Sequence, residues 1–217
     1  MDLYEALYTT RAMRRVRPDP VPTEVIQSML DAAIRAPSGG NSQNWRFVVV
    51  TDPDVRRRLG ELYRDAFAIL RETVYKDLWE RARQVGDEAS LRVQRSSQWL
   101  AEHAGDVPLW LLAFSRNDPS GASIYPAVWS AMLAARGHGV GTCLTTILAH
   151  FKSAEVFELL GVPEDRGWVL NAAVSAGYPL GRWGIAARKP VQRVTYQDRW
   201  GEPVPWEVNE PLYRPSG

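Results

Sequence analysis

Three short apolar runs, far apart in the chain, limit what this sequence can fold into. WRFVVVT (Trp45–Thr51), VPLWLLAF (Val107–Phe114) and WVLNAAVSA (Trp168–Ala176) are rich in β-branched and aromatic residues and have strand length. Long segments with helical spacing separate them. Too few long β-α-β alternations occur for a doubly wound parallel sheet, so the pattern predicts an α+β fold.

The helical segments carry their own start and stop signals. Asp2 suits the cap of a short helix over Leu3 to Tyr8. TTRAMRRVRPDPVP follows, and its three prolines forbid a continuing helix. Thr23 is the expected N-cap of an amphipathic helix over 23–36, with Val25, Ile26, Met29, Leu30 and Ala33 recurring at helical spacing and Pro37 ending it. Asp52 and Pro53 open the next helical stretch, which runs to about His103. Its charged middle suits an excursion from the core, placed at about 60–97. Ser123 is expected to start a helix to about Gly137, with Ala127, Val128, Ala131, Met132 and Ala135 on one face. Ser153 is expected to cap another, stopped by Gly161 and Pro163. A tail rich in Pro, Arg and Trp closes the chain.

Composition narrows the function classes. The chain has 217 residues, 45% of them hydrophobic, which suits one sizeable globular domain. Lys and Arg number 26 against 25 Asp and Glu, so a globally basic nucleic-acid binder is not expected. A single cysteine, Cys143, excludes an intrachain disulfide and a Cys-based metal cluster. The three histidines lack helical ligand spacing, so no metal site is expected. The N-terminus has no apolar core of signal-peptide length and no run could span a bilayer, so the expectation is a cytoplasmic protein without membrane partners.

Four constellations could carry chemistry. Arg11, Arg14, Arg15 and Arg17 form the first; Arg14 and Arg15 stand three and four from Arg11, so a helical turn would gather their guanidinium groups on one face, fit for a phosphate. A solvated basic turn is the alternative. The loop Pro37-Ser38-Gly39-Gly40-Asn41-Ser42-Gln43 joins glycines, which admit a ligand close to the backbone, to hydroxyl and amide groups that donate and accept. It fits the rim of a flat heterocycle or a polyol, or is an ordinary polar connection. Gly137-His138-Gly139-Val140-Gly141 is preceded by a helix and followed by an extended run, the reverse of the dinucleotide fingerprint. Those glycines are expected to end the helix and bring the backbone close to a bound group. Arg188 and Lys189, held extended by Pro190, form the last cluster, or are ordinary surface decoration. No nucleophile elbow, P-loop or paired acid and base is present, so catalysis would need an organic cofactor and no catalytic side chain is nominated.

Taken in order, TTRAMRRVRPDPVP, AAIRAPSGGNSQNWRFVVV, IYPAVWSAMLAARGHGVGTCLTT and the AGYP, RKPV and DRWG blocks resemble the nitroreductase superfamily of FMN-dependent oxidoreductases. The resemblance covers nearly the whole chain except about 60–97. It implies a nitroreductase-like fold of one domain over 1–217, with a central, mostly antiparallel sheet flanked by helices. It also implies an interlocked homodimer, with the tail from about 185 to 217 wrapping the partner and FMN in the interface. Arg11, Arg14 and Arg15 would grip the FMN phosphate and ribityl end, with Arg188 and Lys189 as further cations. Pro37, Ser38, Gly39, Asn41 and Gln43 would line the ring and ribityl chain. Leu144, Thr145 and Thr146 would pack by the ring, with a donor near flavin N5.

The implied activity is ping-pong hydride transfer from NADPH or NADH, through flavin N5, to a nitroaromatic, quinone-like or related aromatic acceptor. Tyr75, Trp79 and Trp99 would cover that acceptor or pack locally. Alternatives within the superfamily are reductive dehalogenation and flavin destruction; a non-enzymatic flavin-binding protein is the alternative outside it. The chain departs from the family pattern at Thr10, Ala12, Asn44 and Trp129.

Overall fold

A computed structural model describes residues 1–213. The last four residues of the expected tail, 214–217, lie outside the described residues. The chain divides into two compact units, Arg11–Arg182 and Met1–Thr10 with the chain from Trp183 onward.

The larger unit is built on a four-stranded sheet, β1 (Trp45–Val50), β2 (Leu109–Ser115), β3 (Gly141–Thr145) and β4 (Val169–Gly177). The order is β1-β2-β4-β3 and every pairing is antiparallel. The β3 run is a full member of the sheet, although it is short and follows a glycine cluster. β2 is buried along its whole length because both faces of the sheet are covered. One face sends Trp110, Leu112 and Phe114 toward helices α3 (Pro53–Leu70), α4 (Lys76–Val85), α5 (Glu88–Glu102), α7 (Ile147–Phe151) and α8 (Ser153–Leu160). The other sends Leu109, Leu111 and Ala113 toward α2 (Thr23–Ala33) and α6 (Ile124–Gly137). The period-two alternation of a strand thus feeds two cores.

Helix starts follow the expected chemistry at some ends and depart from it at others. Asp52 Oδ1 accepts from the backbone N–H groups of Asp54 and Val55, both at 3.0 Å, and Pro53 occupies the first turn. Thr23, Ser123 and Ser153 make no side-chain cap; Pro22, Ser123 and Lys152 hold the cap positions without one. At α6 the capping acceptor comes from farther back: Asp118 Oδ2 accepts from Ser123 N at 3.1 Å and Ile124 N at 3.0 Å. α2 ends at Ala33, three residues short of the expected limit. α3 passes into α4 through a π-helical turn, Arg71–Tyr75.

The excursion is less peripheral than its charge suggests. Trp79 is 3% exposed and packs on Phe67 and Tyr75, with ring centroids 6.1 and 4.9 Å away. It belongs to the core, not to a cover over an acceptor. Trp99 stacks on His103 at 4.2 Å, one helical turn on.

In the terminal unit, α1 (Leu3–Thr9) is capped as expected, Asp2 Oδ1 accepting from Glu5 N at 2.8 Å. Tyr8 packs against Tyr213, and Tyr196 pairs with Pro203 in an isolated bridge. Trp200 is 92% exposed.

Candidate functional site

The arginine segment does not form a helical turn. Ala12 bridges Thr142 of β3, Met13 N donates to Thr142 O at 2.8 Å, and Val16 bridges Pro179 just past β4. The segment is therefore extended along the β3 side of the sheet, because tertiary pairing outweighs the local spacing of the arginines. Met13 and Val16 are buried and anchor it; Arg11 and Arg15 are exposed and Arg14 is half-buried. Two glycines allow this approach. A Cβ on Gly141 would lie 2.7 Å from Met13 Cβ, and one on Gly177 would lie 2.9 Å from Val16 Cβ. The Gly141 position of the glycine cluster thus admits the chain's own segment, where a bound group was expected.

No carboxylate pairs with Arg11, Arg14 or Arg15 among the described residues. Arg11 Nη2 donates to Arg182 O at 2.7 Å. Arg14 lies beside the buried thiol of Cys143. Burial pushes that thiol up from its ordinary 9.0, and the Arg14 charge opposes the rise. Tyr63 of α3 adjoins the same spot. Burial raises its hydroxyl first and the Cys143 thiol second, while a hydrogen bond with the Thr145 side chain and the Arg14 charge act the other way. Sequence spacing did not reveal Tyr63, since only tertiary packing carries it to β3. The expected ring-side residues Leu144, Thr145 and Thr146 are half-buried at the end of β3, so the structure brings them together with the arginine segment.

The loop before β1 forms a second part. Residues Gly39–Asn41 make one 3-10 turn. Gly40, Asn41 and Gln43 all have positive φ, at 57°, 53° and 50°. The two non-glycine residues in this region are strained, a feature concentrated at functional sites. Ser38 Oγ accepts from Gln43 N at 3.2 Å, and Gln43 Nε2 donates to Asn41 Oδ1 at 3.0 Å. Pro37 is exposed, and a Cβ at Gly39 or Gly40 would meet nothing within 4 Å, so the loop offers an open backbone face. Pro37, Ser38 and Gly39 share a cavity of about 510 Å³ with Arg116, Asp118 and Ser123. Arg188 and Lys189 lie in the terminal unit, where they line a cavity of about 650 Å³ together with Thr10, whose buried Oγ1 has no partner among the described residues.

These donors suit a phosphorylated flavin. Guanidinium groups without a carboxylate partner among the described residues match a phosphate, and an open loop with exposed amides matches a polyol and a ring edge.

A helix-flanked antiparallel sheet carrying this arginine segment and this glycine loop defines a nitroreductase-like flavoprotein architecture. The Nitroreductase family pattern matches residues 7–178, and the chain belongs to that family. It is 30% identical over 213 residues to an NADH dehydrogenase of Thermus thermophilus, covering 89% of this chain and 95% of that protein. Over 115 residues it is 33% identical to iodotyrosine deiodinase 1 of Rattus norvegicus, 53% of this chain but only 37% of that protein. Among solved structures it resembles the FMN and NADPH-dependent nitroreductase NfnB of Sphigopyxis sp. strain HMH, with a TM-score of 0.69 and 24% identity over 92% of this chain and all of that one. A BluB-like flavoprotein of Clostridium difficile 630 superposes with a TM-score of 0.66 at 20% identity, covering 92% of this chain and 100% of that chain. No helix among the described residues is long and apolar enough to cross a membrane.

Proposed function

We propose that the protein is an FMN-dependent oxidoreductase that passes hydride from NADPH or NADH to a nitroaromatic, quinone-like or related aromatic acceptor. The observation that carries this reading is that Arg11, Arg14 and Arg15, seated beside β3, have no carboxylate partner among the described residues. Arg11, Arg14 and Arg15 would hold the phosphate, with Arg188 and Lys189 as further cations. Pro37, Ser38, Gly39, Asn41 and Gln43 would orient the polyol and ring. Leu144 would pack by the ring, and Thr145 or Thr146 would supply a hydroxyl or backbone donor. FMN, when bound, supplies the hydride chemistry that no side chain here offers. Nicotinamide nucleotide and acceptor would occupy one space in turn, a ping-pong scheme in which the protein binds, orients and excludes water.

The sheet geometry supports a homodimer. Trp45, next to the loop, is level with Ser115 and so with Val169 of β4, whereas Thr142, beside Ala12, is level with Ala176. β1 and β3 are opposite edges. At about 3.4 Å per residue and about 4.8 Å per strand, the two places are on the order of 25 Å apart. One flavin mononucleotide does not reach both within a chain, so a second copy would bring its loop to the first copy's arginines. The tail from about 185 would wrap that partner.

The experiment is direct. Purified protein should be yellow, release FMN on denaturation and bleach with NADPH or NADH without oxygen. Mixed dimers of an Arg14→Ala copy and an Asn41→Ala copy should regain FMN sites of wild-type affinity, which neither variant has alone. A colourless protein, or mixed dimers without regained sites, would overturn the reading. The partial likeness to iodotyrosine deiodinase favours reductive dehalogenation as a second reading. Halide release from a halogenated phenol by pre-reduced protein, with no turnover of nitroaromatics, would select it.

A further inference from the structure

The strained loop is tied to a distant turn by one hydrogen bond, and that tie has its own support. Gly39 N donates to Ser123 Oγ at 3.3 Å, across a sequence gap of 84 residues. Ser123 is in turn fixed at the start of α6, where Asp118 Oδ2 accepts from Ser123 N and Ile124 N. Asp118 follows Asn117, which has a positive φ of 57°. The same carboxylate thus caps the helix and seats the serine whose hydroxyl meets the loop. The Ser38 hydroxyl closes the other side of the loop on Gln43 N.

Inside the loop, the positive φ angles at Asn41 and Gln43 cost energy that the surroundings must offset. The cavity between loop and turn, about 510 Å³, leaves the loop little packing beneath it. Polar ties therefore have to set its shape, and the bond to Ser123 is the one that reaches α6.

We infer that Asp118 and Ser123 are positioning residues that preset the loop's backbone for flavin, so that ligand affinity depends on a hydroxyl that need not touch the ligand. The inference rests on the flavin reading above. A loop already in its bound shape costs less to order on binding. Loss of the Ser123 hydroxyl leaves α6 capped by Asp118 and frees only Gly39 N.

Ser123→Ala, Ser123→Thr and full-length wild-type protein test this with two readouts. In flavin-free protein, Ser123→Ala should speed amide hydrogen exchange across 38–43 while α6 keeps its protection. By titration of FMN fluorescence, the same variant should bind FMN about five-fold more weakly, the effect of one net hydrogen bond. Ser123→Thr, which keeps the hydroxyl, should restore both. Unchanged exchange across the loop would overturn the tie itself. Faster exchange with unchanged FMN affinity would overturn the positioning role and leave the flavin reading standing. Wild-type protein that binds no FMN would overturn that reading, and the inference with it.

Discussion

Met13 and Gly141 meet so closely that the position opposite the methionine has no space for a side chain: a Cβ on Gly141 would lie 2.7 Å from Met13 Cβ and 3.0 Å from its Cγ. Met13 is the buried residue between Ala12, which bridges β3, and Arg14, which faces Cys143. Seating of the arginines therefore depends on a missing methyl group. Gly141→Ala should cost about 1–3 kcal/mol of stability by overpacking. It should also weaken FMN binding, because the segment must move off β3. A urea midpoint and an affinity both equal to wild type would show that the contact is looser than the geometry indicates.

Arg11→Ala, Arg14→Ala and Arg188→Ala should each weaken FMN binding, by about 1.5–3 kcal/mol where a charge-assisted phosphate bond is lost. Arg14→Lys should recover only part of the loss, since an ammonium lacks the guanidinium fork. Fluorescence titration of flavin-free protein measures this. Undiminished affinity in all three alanine variants would mean that other cations hold the phosphate.

Alkaline pH should expose the buried groups under β3. Burial raises the Cys143 thiol above its ordinary 9.0 and the Tyr63 hydroxyl above its ordinary 10.0. The unfolded chain ionises both first as pH rises, so above about pH 9 the folded state holds more protons than the unfolded one. Stability then falls as pH rises, while below that range these two groups contribute no slope. Urea midpoints at about pH 8 and about pH 10.5 should differ less in Tyr63→Phe than in wild type. An identical difference would remove the tyrosine from the account.

Asp52→Ala removes an acceptor shared by Asp54 N and Val55 N at the start of α3. The expected cost is about 1 kcal/mol. Since α3 carries Leu59, Tyr63 and Phe67 into the core, thermal unfolding should report it as a global shift, with FMN affinity little changed.

What the sequence made legible was mainly local. Asp2 and Asp52-Pro53 mark helix starts because a short acidic side chain meets a free N–H two or three residues on, within one turn. The apolar faces of α2 and α6 were readable from spacing for the same reason. Thr23 and Ser153 failed as caps because each is already the first helical residue, one position past the cap. α6 starts at Ser123 as expected but takes its capping acceptor from Asp118, outside the helix. The arginines have helical spacing, yet pairing with Thr142 and Pro179 fixes them as an extended segment. Trp79 sits in a charge-rich stretch, but one buried face suffices to carry it into the core. The loop stood out as a candidate by its own composition and the β3 residues only through resemblance, while the roles of Tyr63 and Ser123 enter only through contacts between distant parts of the chain.

The placement of loop and arginines at opposite edges of one sheet has a consequence for how such a protein holds its prosthetic group. Were each pocket assembled from two protomers, as proposed, retention would become a concentration-dependent quantity. Dilution that separates the subunits would release the pigment even though no contact within either polypeptide had weakened, and excess flavin would in turn drive the chains back together.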